Sequence, residues 1–211
     1  MSIVTLNDRG VRSVTTFGSV NAGSMVFIKK LTASSSSTLS FVDGSDDVVL
    51  DSTYPIYLFK FINCHPSAVS QFSFQGNAAG GSGYNETITS SVFQSFHRED
   101  DSSTALGYRT GDDQAQGTGF QIITNVIGDD ADQSCSGTLH LFNPSSTTFV
   151  KHFMSTIQVY RSTGSSAEAS SVQHFSAGYF NTTSAIDEIQ FKMGSGDIDA
   201  GTIKLYGLKD S

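Results

Sequence analysis

Residues 180–208 read FNTTSAIDEIQFKMGSGDIDAGTIKLYGL, and this stretch decides the fold class. Ile189, Phe191 and Met193 alternate with polar residues and so line one face of a strand. Gly194, Ser195, Gly196 and Asp197 supply turn chemistry, because Gly tolerates positive φ and Asp bonds to nearby backbone amides. A second strand returns from Thr202 with Ile203 and Leu205 on its buried face, so the pair is expected to form a closing hairpin. The stretch carries no nucleophile, metal cluster or phosphate loop.

The same alternation extends back along the chain. Residues 136–142 and 147–160 predict a hairpin turning at Asn143, Pro144, Ser145 and Ser146. Residues 54–63, YPIYLFKFIN, are the most apolar segment: Ile56, Leu58 and Ile62 fall on one face, Tyr57, Phe59 and Phe61 on the other. A strand apolar on both faces is buried on both. In a single sandwich one face meets solvent, so a subunit interface or a covering loop is expected here, with Tyr57, Phe59 and Phe61 as the interface residues. Shorter strands are expected at residues 25–31, 38–42, 69–75, 105–110, 119–126 and 172–180; residues 86–96 suit a strand or a short helix, with their Thr and Ser favouring the strand. Residues 76–84, 97–104 and 111–118 read as loops. The tally of about ten to twelve short strands without a helix predicts an all-β antiparallel sandwich of the jelly-roll type. Residues 24–211 form that domain, and residues 1–23 precede it as an arm or peripheral strand.

Composition agrees with this layout. A chain of 211 residues fits one all-β domain, and its hydrophobic content of 37% leaves a large share to Ser, Thr, Gly and Asn. Sixteen Phe against no Trp point to a core of aromatic rings. A net charge of −8 argues against nucleic acid as a partner, since phosphate contacts need clustered Lys and Arg. No apolar stretch approaches membrane-spanning length, and residues 1–10 lack a basic region followed by an apolar run. Asn85 and Asn181 sit in glycosylation sequons, read here as turns. Cys64 and Cys135, the only cysteines, are expected as free, buried thiols.

Chemical motifs are sparse. Five histidines occur without HxH or HExxH spacing; His140 and His152 alone are placed to approach each other across a hairpin. Among the acidic loops, Asp129, Asp130 and Asp132 are the preferred place for a Ca²⁺ ion, though no EF-hand pattern is present. GxSxG, GxGxxG and the P-loop pattern are absent. The expectation is a protein that is not an enzyme, with no cofactor and no metal.

Four stretches carry a resemblance: the closing segment, GSMVFIKKLTASSSSTLSFVDG at 23–44, LFKFINCHP at 58–66 and LHLFNPSSTTFVKHF at 139–153. In combination they resemble a group of small virion structural proteins of marine tailed bacteriophages. The resemblance implies a jelly-roll-like module displayed in many copies on the outer surface of the particle, either as a capsid decoration or cement protein or in the tail. For decoration the partners would be the chain itself, as a homotrimer, and the major capsid protein, with residues 1–23 as a clamp. The competing expectation is a tail-fibre or host-recognition module that binds glycans through the loops at 76–84, 97–104 and 111–118, with Tyr84 and Tyr108 stacking on sugars.

Overall fold

The computed structural model describes residues 24–162 and 169–210. The arm expected at 1–23 lies outside these residues. Thirteen strands follow one another: β1 (Met25–Thr32), β2 (Leu39–Val42), β3 (Ile56–Pro66), β4 (Phe72–Ala78), β5 (Ile88–Arg98), β6 (Thr104–Tyr108), β7 (Ala115–Gly117), β8 (Gln121–Ile122), β9 (Cys135–Phe142), β10 (Lys151–Arg161), β11 (Ser170–Phe180), β12 (Ile186–Met193) and β13 (Ile198–Leu208). All pairings are antiparallel. The large sheet runs β1-β13-β3-β9-β10-β11-β5-β6, with β7 also paired to β5, and the small sheet runs β2-β12-β4-β8.

Set aside β5 to β7 and β10 to β11, and a jelly roll remains: β1-β13-β3-β9 faces β2-β12-β4-β8. Each successive strand then changes sheet, except β4 to β8, which pair directly. The two insertions meet beyond β9 and extend the large sheet on that side. The β-sandwich expected from the strand pattern is therefore present.

The closing hairpin is not. β12 belongs to the small sheet and β13 to the large one, so the turn at Gly194–Asp197 carries the chain between layers. The reason is packing. Both strands are apolar on one face only, and both faces meet across the core instead of lying side by side. The β9–β10 hairpin does form, with Phe153 opposite Leu141 and Val159 opposite Cys135, but its connection spans 143–150, and Phe149, expected on the second strand, is exposed within it. Residues 76–78 belong to β4 and are buried, whereas a loop is expected there; an added Cβ on Gly76 would stand 3.1 Å from both Phe180 and Ile186.

Phe191 is the hub of the core. Its ring lies 5.2 Å from Phe61, 5.3 Å from Phe59, 5.8 Å from Phe72 and 6.2 Å from both Phe41 and Phe74, mostly edge to face. Such geometry places the positive ring edge on the negative ring face and adds about 0.5–1.5 kcal/mol per pair beyond burial.

This arrangement corrects the interface expectation. Tyr57, Phe59 and Phe61 point into the chain's own core and are fully or almost fully buried, so they offer nothing to another subunit. The Tyr57 hydroxyl donates to the Asp51 carbonyl at 3.0 Å, and burial, followed by the Asp51 charge, pushes its pKa up. The solvent side of β3 carries Leu58, Lys60 and Ile62 instead. After Ile62 the strand bulges, with Asn63 at φ 49°. Gly201 lies opposite at φ 116°, where a Cβ would stand 2.6 Å from the Asn63 carbonyl oxygen; only glycine fits. Just past the bulge Cys64 and Cys135 sit directly opposite each other, buried and free. Burial and the hydrogen bond with Cys64 raise the Cys135 pKa, the hydrogen bond being the larger cause.

Candidate docking surface

The outer face of the large sheet is built by strand alternation. Where Phe59, Leu139, Phe153 and Val92 point inward, their neighbours point to solvent. Two rows of register partners cross the whole sheet on that side. One begins Phe27, Tyr206, Leu58, His140 and continues through Met154, Ala177 and Ser91. The other begins Lys30, Lys204, Lys60, Thr138 and continues through Thr156, Phe175, Phe93 and Tyr108.

Its chemistry departs from that of the chain as a whole. The chain holds 20 acidic residues, yet of the nine strands in this sheet only β13 carries one, Asp199 at its bulged start. Asp199 accepts a hydrogen bond from the Ser35 hydroxyl at 2.7 Å. Exposed apolar side chains gather here instead: Phe27 is 55% exposed, Met154 56%, Tyr108 56% and Leu106 73%. Phe93 stacks on Phe175 with ring centroids 4.7 Å apart. Solitary exposed apolar residues are ordinary, as Val69 and Phe149 in the loops are, whereas a set gathered on one face whose strands are nearly free of acids marks an interaction surface.

A depression of about 520 Å³ lies in this face above β5, β10 and β11. Phe142, His152, Met154 and Tyr179 form its walls, and the small residues Ser91 and Ala177 its floor. Beneath it, a Cβ on Gly178 would strike Phe153 and the Thr89 carbonyl, which keeps the strands closely packed. His140, stacked on Phe142, is held below its usual pKa by burial. His140 and His152 share this face, with Met154 and not His152 opposite His140, and among the described residues no three His, Cys, Asp or Glu side chains converge as metal ligands. In the loop preferred for Ca²⁺, the exposed Asp130 carboxylate accepts from the Gln133 side-chain amide at 3.0 Å.

A second concentration of polar groups is buried beneath the same strands. Asp112 accepts hydrogen bonds from Arg109 at 3.1 Å, Gln71 at 3.1 Å and His174 at 3.4 Å. Burial raises its pKa, and these three donors together outweigh burial and leave it low. The set superficially matches a Ser–His–Asp relay, but the adjacent serines Ser155 and Ser176 bond to each other at 2.6 Å, and no serine hydroxyl among the described residues bonds His174. His174 is fully buried and Asp112 only 5% exposed, so the cluster has no path to a substrate. It holds the inserted strands to the loop that carries Asp112.

Tyr84 and Tyr108 do not come together. The Tyr84 hydroxyl donates to Glu188 at 2.8 Å over the small sheet, and Tyr108 donates to Asp113 at 2.7 Å on the outer face of the large sheet. They stand on opposite sides of the sandwich. Phe93, Met154 and Tyr179 were not singled out from the sequence. Their only sequence signal is alternation with core residues, which does not separate a solvated face from a docking face. No protein-family model matches the chain, and no curated protein matches its sequence.

Proposed function

We propose that this chain is a non-enzymatic virion structural protein, a capsid decoration or cement protein that docks on the major capsid protein of a phage head as a homotrimer. The observation that carries this reading is the apolar end of the large sheet's outer face, on strands that hold no acidic residue, in a chain of net charge −8. Phe93, Leu106, Tyr108 and Met154 are the docking side chains. They stand on hydrogen-bonded strands of one sheet, so their backbones are held in place before association. The sequence resemblance to phage virion proteins supplies the setting, and the jelly roll supplies a rigid module suited to many-copy display.

Imaging of purified particles, with the chain located by difference density, tests the assignment. Knobs on the outer head lattice are expected, and Phe93→Glu with Met154→Glu should strip them while leaving the free protein folded. Density confined to the tail would transfer the chain to the recognition reading. The depression between Phe142 and Tyr179 favours that second reading, being large enough for a sugar ring against an aromatic wall.

A further inference from the structure

The opposite end of the same face is cationic. Lys30, Lys204 and Lys60 are direct register partners on three successive strands. Neighbouring strands lie about 4.8 Å apart, and like charges set opposite each other repel. Lys60 gains partial relief over the Tyr206 ring, 5.5 Å from its centroid. None of the three enters an ion pair within the described residues. Protection of a sheet edge against stray pairing accounts for Lys30 on the edge strand β1. It does not account for Lys204 and Lys60, which stand on the second and third strands.

The small sheet bears the complementary charge. Asp43, Asp187 and Glu188 meet where β2 ends beside β12, with the Asp43 amide donating to the Asp187 carbonyl at 2.9 Å. Glu188 accepts from Tyr84 and Asp43 from the Leu50 amide, both neutral donors. The nearby Lys29 ammonium is spent on the Asp46 backbone carbonyl. Asp187 Oδ1 is buried with no hydrogen-bond partner. Burial, and then the charges of Glu188 and Asp43, raise the Asp187 pKa. One molecule thus holds an unneutralised lysine row on one layer and an unneutralised carboxylate group on the other.

We infer that the lysine row of one copy docks on the Asp43, Asp187 and Glu188 group of the next, so that the assembly is head-to-tail. A two-fold pair placing these lysine rows together would set like charges against each other, whereas a heterologous contact pairs opposite ones and closes into a ring when its rotation allows. The inference rests on the assembly reading above but uses different side chains from those that meet the shell.

Sedimentation equilibrium of the purified full chain at low and high salt tests it, with circular dichroism and melting temperature as folding controls. The wild type should form a closed multiple of 22.5 kDa that weakens with salt. Lys60→Glu with Lys204→Glu should weaken association at least about tenfold, and Asp187→Lys with Glu188→Lys should do the same. Mixing the two variants should make both mixed junctions attractive, the native pair and its charge-swapped counterpart, so association returns only between unlike chains. Carrying both changes in one chain should restore the ring. The milder Lys60→Gln with Lys204→Gln serves where reversal impairs folding. A wild type that stays monomeric, or acidic-site variants that associate normally, would overturn the inference. Particles decorated by such a monomer would leave the docking proposal standing, and rings that never bind particles would do the reverse.

Discussion

The two halves of the large sheet are held against their neighbours by different physics. In the jelly-roll half, Phe59 and Phe61 meet Phe41, Phe72 and Phe191 in an interlocked ring cluster without a polar atom. In the inserted half, the inner face joins Val92, Ile157 and Val172 to His174, Gln94, Ser155 and Ser176. Most of its polar groups have partners: Asn125 donates to Gln94, Gln121 accepts from Ser90, and Asp112 collects three donors, while His174 Nδ1 has none. Hydrophobic burial is non-directional, whereas each hydrogen bond of a buried polar network needs its own partner in place. The first half supplies stability. The second fixes how the inserted strands sit, and with them the exposed aromatic end of the docking face.

The largest effect should come from the hub. Phe191→Ala removes a ring that touches five others and should cost about 4 kcal/mol. In a domain of this size that lowers the melting temperature by about 10 °C. A loss as small as that of a surface substitution would show that the ring cluster does not dominate.

Asp112→Ala should follow, at about 3 kcal/mol, because Arg109, Gln71 and His174 all lose their acceptor. Here pH sharpens the comparison. The Asp112 pKa is lowered in the folded chain, so its contribution is fully present above the usual carboxylate range. That contribution is lost as pH falls through the lowered value. The stability gap between wild type and Asp112→Ala in urea titrations should therefore shrink in acid, while the Phe191→Ala gap stays nearly constant.

Ser155→Ala should cost about 1–2 kcal/mol, since it leaves the Ser176 hydroxyl buried without its partner. The double change Ser155→Ala with Ser176→Ala should cost less than the sum of the two single changes, read from a double-mutant cycle. Full additivity would mean that the two hydroxyls do not act as a pair. Smallest of all, Phe93→Ser on the solvent side should cost about 0.5–1 kcal/mol in the same titration, from the loss of its stack on Phe175.

How much of this was legible beforehand depends on the distance over which each feature is decided. β10 and β11 were readable because their alternation runs unbroken for 11 residues. β5 was less clear, since residues 86–96 also suited a short helix and only their Thr and Ser content favoured a strand. The short β8 was expected as a longer strand at residues 119–126, and only Gln121–Ile122 pair; flanking residues such as Thr124 turn inward to bond the Phe72 amide. Tyr57, Phe59 and Phe61 were correctly seen to share one face and wrongly assigned to a subunit boundary. Period-two reading shows that both faces of β3 are apolar without showing which one meets Phe191.

The sequence by itself determined the strands, the turns, an all-β sandwich and a core made of phenylalanine, because these follow from alternation and turn residues within a few positions. Tertiary structure alone decided which strands share a sheet, that β12 and β13 part company, and that three lysines from distant segments line up across the outer face. Those outcomes depend on register between strands more than a hundred residues apart. Register is set when all the apolar faces are buried at once, and no local window of sequence contains that condition.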